Sequence, residues 1–408
     1  MSVAGVGALA AMCVAPALAA STDGLTLPPG FSATVAQEGL GAARHLDVTP
    51  NGDIYLASRK GLVAMRDTNG DGVVDETKPF GDVQGTEVRV FGDWLYASDN
   101  VGVYRYALEK GELAPTGARE TVVADFPRER QHADKTFALD SKGTLYINVG
   151  APSNSCQERD RQERSKGMNP CPILEKYGGV WVFDGNKLNQ TPANGRRYST
   201  GIRNAVAIEW NAGQNAPYVV IHGRDGLDTL FPALFNSVDN ATRTAEEFHK
   251  LTDGGDYGWP STFWDTKVNK RVLAPEYGGD GKKLAAAGKF AEPLVGYPAH
   301  WAPNDLLFYS GKSFPAKYKD GAFIAFHGSW NRAPEPQAGY KVIFQPMKNG
   351  KANGAYEVFA DGFAGELAGN SPNNANYRPV GLAVTPDGSL LIADSQKGRI
   401  WRISYDQK

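Results

Sequence analysis

Basic residues never cluster along this chain, histidine occurs only six times and cysteine only three times. Each scarcity removes a class of function. Without a dense Lys/Arg block, and with a formal net charge of -2, the chain carries no electrostatic footprint for nucleic acid. Cysteines without a nearby histidine make an incomplete zinc ligand set. No Walker loop, strand-linked G-x-G-x-x-G or G-x-S-x-G elbow occurs, so nicotinamide dehydrogenases and ordinary α/β hydrolases are poor candidates. Beyond residue 20, no apolar run approaches the roughly 18 residues that a membrane-spanning helix needs. Stable membrane insertion is therefore not expected.

What is present is the composition of an ordinary globular protein, 41% hydrophobic and 22% charged over 408 residues. The 47 glycines and 25 prolines are spread along the chain, which suits many short strands joined by tight turns. Residues 1–20 are apolar and rich in small side chains, and Ala17-Leu18-Ala19 offers a small-residue cleavage site. They read as a secretory signal, which would place residues 21–408 in the periplasm as one folded domain. No basic residue precedes that run, and an N-terminal membrane anchor is the competing reading. Cys13 would leave with the signal. Cys156 and Cys171 would then either bridge, closing a loop worth about 3 kcal/mol in the chain-entropy model, or stand as two free thiols.

The patterning is β throughout. Leu46 to Ala57 alternates around a Pro-Asn-Gly turn, and Val380 to Ala393 nearly duplicates it around Pro-Asp-Gly. Further copies run from Val88 to Ala97, Thr136 to Asn148 and Val206 to Ile221. Alternation around Asn-Gly or Asp-Gly is the strongest short-range hairpin signal. Each hairpin is followed by another apolar strand, such as Gly61–Met65, Val180–Phe183 or Arg399–Ile403. A sixth copy fits Asp320–Phe326 with Tyr340–Phe344. A recurring hairpin plus outer strand predicts an all-β, six-bladed β-propeller, with seven blades or a β-sandwich pair as competitors. Only Pro127–Asp134 and Thr242–Leu251 look locally non-β, the second as one short helix or turn. In a propeller, the residues just before inner strands are the candidates for a ligand site at the channel mouth.

The histidines are His45, His132, His222, His249, His300 and His327. His132 opens a strand from the polar loop Arg130-Gln-His-Ala-Asp-Lys135, where a neutral imidazole could act as a general base or simply be solvated. In His327-Gly-Ser-Trp330-Asn331-Arg332, an aromatic plane, an amide and a guanidinium follow a strand end at once. That set suits a flat, polycarboxylated ligand, or a tight turn around a buried tryptophan. Arg203, Arg224, Arg332 and Arg378 all occupy loops between expected strands, and several converging on one channel would fit an anionic ligand. Asp67-Thr-Asn69-Gly-Asp71-Gly-Val-Val-Asp75 reads as a structural calcium loop or an acidic turn; Lys78 stands where an EF-hand has its bidentate glutamate.

Seven strings occur in order: His132-x-x-Lys-Thr-Phe, Asn154-Ser-Cys156, Gly201-Ile-Arg-Asn-Ala-Val206, Gly223-Arg-Asp-Gly-Leu227, Asp256-Tyr-Gly-Trp-Pro260, His327-Gly-Ser-Trp-Asn-Arg332 and Arg378-Pro-Val-Gly. Together they resemble the glucose/sorbosone dehydrogenase family, soluble propellers that oxidise sugars with pyrroloquinoline quinone (PQQ), over about Leu27 to Tyr405. The resemblance implies His132 as the base that deprotonates the sugar. It implies Arg203 and Asn204 on the quinone oxygens, with Arg203 stabilising the developing charge. Arg224, His327, Trp330, Asn331, Arg332 and Arg378 would complete the cofactor contacts. Calcium beside PQQ would be held around Gly223, Asp225 and Glu247. A sugar substrate, and a cytochrome or quinone pool as electron acceptor, would follow. The segment Phe231–Ala245 departs from the family pattern beside the expected metal. A calcium-dependent lactonase and a non-catalytic sugar- or partner-binding propeller are the alternatives.

Overall fold

The computed structural model describes residues 22–365 and 371–406; the expected signal segment and Cys13 lie outside the described residues. Six mainly antiparallel sheets form the blades of a β-propeller. Their innermost strands are Ala43–Val48, Val88–Phe91, Phe137–Leu139, Ala207–Asn211, Pro303–Phe308 and Pro379–Val384. Each packs against the next, and the last against the first, closing a ring around a central channel.

The turn chemistry that signals the hairpins sets their register. Gly52 takes φ 97°, inside the left-handed region that a side chain disfavours, and the turn pairs Val48 with Ile54 and Leu46 with Leu56. In the near-duplicate, Gly388 has φ 88° and Val384 pairs with Leu390. The ring closes by a device that the hairpin pattern does not reveal: the N-terminal strand Phe31–Gln37 pairs with the C-terminal strand Ile400–Tyr405. Two edges that would otherwise be open to intermolecular pairing are thereby covered.

Two expectations shift. The copy fitted to Asp320–Phe326 and Tyr340–Phe344 corresponds to the middle strands Gly321–Phe326 and Lys341–Lys348 of the fifth blade, whose inner strand starts at Pro303. Proline there needs no ladder donor, because it is the strand's first residue. The helix expected within Thr242–Leu251 lies earlier, at Ser237–Arg243, where the Asn236 side chain accepts from the Asp239 N–H (2.9 Å). Glu246–Lys250 is instead the third strand of the fourth blade. Its polar residues look unlike a strand because their partners come from elsewhere in the chain: Glu247 pairs with Arg271 (2.5 Å), and Gly223 N–H donates to Glu246 (2.9 Å). The Cys156–Cys171 disulfide is formed, inside a long loop of the third blade.

Aromatic side chains fill the seams between blades. Trp401 is 0% exposed and packs edge-on against Phe363 and Tyr377, whereas Trp330 is 62% exposed. Trp401→Ala should therefore lower stability by about 3–5 kcal/mol. Trp330→Ala should change it by less than about 0.5 kcal/mol. Urea midpoints of the two variants measure both.

Candidate active site at the channel mouth

All inner strands start at one end of the channel. Arg44, His132, Asp134, Asn204, Ala302 and Arg378 stand at or just before five of those starts and line a common cleft. The opposite ends (Val48, Phe91, Leu139, Phe308, Val384) line a different cavity at the far mouth. The cleft has two lobes of about 430 and 440 Å³, which share His132, His222, Ala302, Trp330 and Arg130.

One guanidinium organises the first lobe. Arg203, 4% exposed, donates to the Gly223 carbonyl (2.9 Å), Asn154 Oδ1 (3.1 Å) and Asp225 Oδ2 (2.7 Å). Asp225 also accepts from Arg161 (2.9 Å) and Asn331 (2.6 Å), and His300 Nδ1 lies 3.8 Å away. Burial alone would raise the Asp225 carboxyl, but Arg203, His300 and Arg161 together hold it well below the usual carboxylate range. Glu246 forms no ion pair with a cation among the described residues, and the charge of Arg203 is only a minor influence on it. Burial pushes its carboxyl up to about 8, against N–H donors from Gly223 (2.9 Å) and Ala302 (3.2 Å). At neutral pH it is a buried acid.

His132 is held with unusual closeness. Its φ of 51° lies in the left-handed region, and Nδ1 sits 2.5 Å from the Ala151 carbonyl. The neighbouring Gly150 permits this, since a Cβ there would come within 2.6 Å of the His132 carbonyl. A carbonyl can only accept, so Nδ1 carries the proton and Nε2 keeps its lone pair. Burial, then the charge of Arg203, lowers the imidazole to about 3. The ring is neutral and able to accept a proton.

The cleft carries an excess of positive charge. Guanidiniums of Arg44, Arg59, Arg130, Arg161, Arg203 and Arg378 face the carboxylates of Glu129, Asp134 and Asp225, with Glu246 protonated. Asp134 engages Arg44 (3.3 Å) and Arg59 (3.1 Å). The buried Nε atoms of Arg44 and Arg203 find no hydrogen-bond partner among the described residues. A cleft with spare donors and surplus cations suits a polyanionic, carbonyl-bearing ligand, and PQQ carries three carboxylates and an ortho-quinone.

Of the residues singled out in the sequence, His132, Arg203, Asn204, Gly223, Asp225, His327, Trp330, Asn331 and Arg378 line the cleft. Three others do not. Arg224 is buried against Glu276 (2.5 Å). Arg332 spends its guanidinium on the carbonyls of Ala241, Ala299 (3.2 Å) and Pro336 (2.8 Å). Glu247 faces Arg271 and His249, because strand alternation turns it away from the side that Glu246 occupies. Trp330 is exposed at the rim, not buried in a turn. His222, His300, Glu246, Arg161, Arg44 and Arg59 join the site without having been assigned a role.

The calcium expectations find no gathered side-chain ligands. Among the described residues, no three His, Cys, Asp or Glu side chains come together as a cation site. In the Asp67–Asp75 loop, Asp67 accepts from Gly70 and Gly72 N–H (both 2.7 Å), Asn69 from Asp71 N–H (2.8 Å), Asp71 from Val73 N–H (2.8 Å) and Asp75 from Thr68 N–H (2.7 Å). Those oxygens cap the turn's backbone, as Asx turns do. Around Gly223, the carbonyl and Asp225 are both taken by Arg203, so the side chains there do not fit a calcium ion.

Comparison with known proteins follows the same line. A PQQ-dependent pyranose dehydrogenase of Coprinopsis cinerea is 24% identical over 426 residues, covering 92% of this chain and 54% of that protein. An uncharacterised protein of Borreliella burgdorferi is 29% identical over 280 residues, covering 68% of this chain and 62% of that protein. The chain thus spans only about half to three fifths of the length of these relatives. The holo form of the C. cinerea pyranose dehydrogenase PQQ domain superposes with a TM-score of 0.73 at 20% identity, covering 93% of this chain and 97% of that one. The calcium structure of a Trichoderma reesei carbohydrate-active enzyme of family AA12 also gives 0.73, at 18% identity, covering 95% and 98%. At these identities the superpositions establish the propeller fold. Membership rests on the family match, which runs over residues 25–406: the chain belongs to the TrAA12-like family.

Proposed function

We propose that the cleft binds PQQ and that the protein is a periplasmic sugar dehydrogenase acting on a pyranose or related aldose. The observation that carries this reading is a neutral imidazole with a free Nε2, His132, inside a cleft whose charge balance matches a tricarboxylate. The naming of the C. cinerea relative as a PQQ-dependent pyranose dehydrogenase supports it. The disulfide is consistent with an oxidising compartment.

When bound, PQQ supplies a two-electron acceptor for hydride. The chain's own residues do the rest. His132 Nε2 takes the hydroxyl proton of the sugar as the carbon loses hydride, leaving a C=O on the product. Arg203 and Asn204 would stand beside the oxygens on which negative charge develops, and the buried surroundings would strengthen that attraction. Arg44 and Arg378 offer guanidiniums to carboxylates in the second lobe. Trp330 gives the sugar's apolar face an aromatic platform at the rim. A cytochrome or a quinone pool would serve as the electron acceptor. No step is assigned to calcium.

Titrating the purified protein with PQQ, with and without Ca²⁺, and adding aldoses while following the quinone absorbance tests the reading. Saturable binding and sugar-dependent reduction are expected; absence of binding at micromolar PQQ overturns it. His132→Asn should keep PQQ binding within about threefold and lose about 10²–10⁴ in turnover, the range typical of a missing general base.

Protonation makes a separate prediction. The unfolded chain releases the Glu246 proton near 4.5, but the folded chain keeps it to about 8. Through this group, folded stability falls as pH rises across that window. Glu246→Gln does not titrate, so its stability relative to the parent should improve by up to about 1.4 kcal/mol per pH unit from pH 5 to 8 and then level off. Urea midpoints at several pH values read this; a pH-independent difference would show that Glu246 is ionised in the folded protein.

A further inference from the structure

The far mouth of the channel holds a cavity of about 340 Å³ that shares no lining residue with the catalytic cleft. A buried plug lies between the two. His45, 0% exposed, donates from Nε2 to the Asn304 carbonyl (2.6 Å) and turns Nδ1 to Glu87 (2.9 Å), while Arg89 lies against the same carboxylate (3.3 Å). The reaction proposed above uses none of the far cavity's polar groups.

Those groups come from three blades, and backbone N–H groups hold the acidic ones in place. Asp47 Oδ1 accepts from Val48 (2.8 Å) and Oδ2 from Val90 (2.7 Å), and Glu209 Oε1 accepts from Trp210 (2.8 Å). Each oxygen keeps a lone pair for a further donor. Arg89, 9% exposed, makes no side-chain hydrogen bond among the described residues. Its Nε and Nη2 are closed to water and meet Glu87 and Glu209 (3.2 Å) only as ion pairs. The exposed part of that side chain therefore excludes both atoms, and Nη1 is the polar atom left to meet a ligand. Half-buried Phe91, Trp210 and Phe308 border the same cavity, and Tyr146 stacks on the Trp210 ring (5.2 Å) and braces it.

This set is selective by charge. An inorganic anion would meet Arg89 but be repelled by Asp47 and Glu209, with Glu87 and Asp305 behind them. A metal cation would face the guanidinium, and among the described residues no three His, Cys, Asp or Glu side chains gather as its ligands. An apolar ligand would strip water from charged groups and return no hydrogen bonds. A neutral ring bearing several hydroxyls meets every group: its O–H groups donate to carboxylates, its oxygens accept from Arg89, and its C–H face lies on an aromatic ring. Burial pushes the Glu209 carboxyl up to about 7 against the charge of Arg89, so near neutrality that group can donate or accept, as a hydroxyl partner requires.

We propose that the far mouth is a second, non-catalytic carbohydrate site for one pyranose unit, with Asp47, Arg89 and Glu209 on its hydroxyls and Trp210 against its ring. The cavity lies at the small end of the range for small-molecule sites, which suits a single sugar unit. The site would take a sugar whether or not the opposite mouth oxidises one, so it stands apart from the dehydrogenase reading.

The probes are the methyl pyranosides of glucose, galactose, mannose and xylose, titrated into the PQQ-free full chain and followed by saturation-transfer NMR. At least one should bind saturably in the millimolar range. Ser310→Trp, at an exposed residue lining the cavity, should abolish that binding. Trp210→Ala should weaken it about tenfold, the effect of losing one aromatic platform. If Trp210→Ala fails to fold, Ser310→Trp still decides. Loaded with PQQ, Ser310→Trp should keep kcat and KM for an oxidised aldose within about twofold, because the catalytic mouth is unchanged. No saturable binding by any of the four probes overturns the inference. Binding that survives Ser310→Trp but is lost in Trp330→Ala also overturns it, by placing the sugar at the catalytic mouth. Neither result bears on PQQ binding, so failure here and failure of the dehydrogenase reading are read separately.

Discussion

The Arg203–Asp225 ion pair is the constraint around which the cleft is arranged. Two opposite charges with little exposure to water are tolerable only when their remaining hydrogen-bonding capacity is filled. Here most of it is filled by parts of the chain that are distant in sequence, with only Arg203 Nε left over: Asn154 from the disulfide-bridged loop, Gly223 from the fourth blade and Asn331 from the loop carrying Trp330. Asn154 also accepts from the Asp225 N–H and donates to the Asp225 carbonyl, so the backbone at Asp225 is fixed as firmly as its carboxylate. Trp259 caps the arrangement by donating to the Asn154 carbonyl (2.9 Å). The pair therefore joins three irregular segments above a regular barrel of strands. Long loops at a propeller mouth would otherwise lack a shared anchor.

The same node tunes the chemistry. Its cation is among the influences that keep His132 and His222 neutral, and burial is the larger one. A histidine base is useful only while unprotonated, so a guanidinium nearby removes the competing imidazolium. The electrostatics are local: a chain of net charge -2 gathers an excess of guanidiniums at one mouth of its channel. Arg161 adds a further point. It reaches Asp225 from the Cys156–Cys171 loop, so the disulfide restrains a segment that supplies part of the cleft wall.

The propeller was legible because turn residues and strand alternation are local signals. Asn51-Gly52 and Asp387-Gly388 announce hairpins by themselves, and the near-identity of two such hairpins announces repetition. Closure by Phe31–Gln37 was not legible, because pairing of the two chain ends leaves no local mark. Within the site, His132, Arg203 and Asp225 could be named from strings that precede or follow inner strands. Arg224, Arg332 and Glu247 were misplaced for one reason. Sequence gives a residue's type and approximate place, but its direction depends on a partner such as Glu276, the Ala299 carbonyl or Arg271. Glu246 and Glu247 are neighbours, and strand alternation alone sends one to the cleft and the other away. His222 carried a usable signal, since it immediately precedes the Gly223-Arg-Asp-Gly string.

The most direct test of the central claim is a crystal structure of the protein soaked with or grown in PQQ. The expected result is the cofactor lying across both lobes, with its quinone edge beside Arg203, Asn204 and His132 and its carboxylates near Arg44 and Arg378. PQQ bound elsewhere, or a cleft that excludes it at saturating concentration while the fold is intact, would contradict the assignment of this mouth as a quinone-dependent active site.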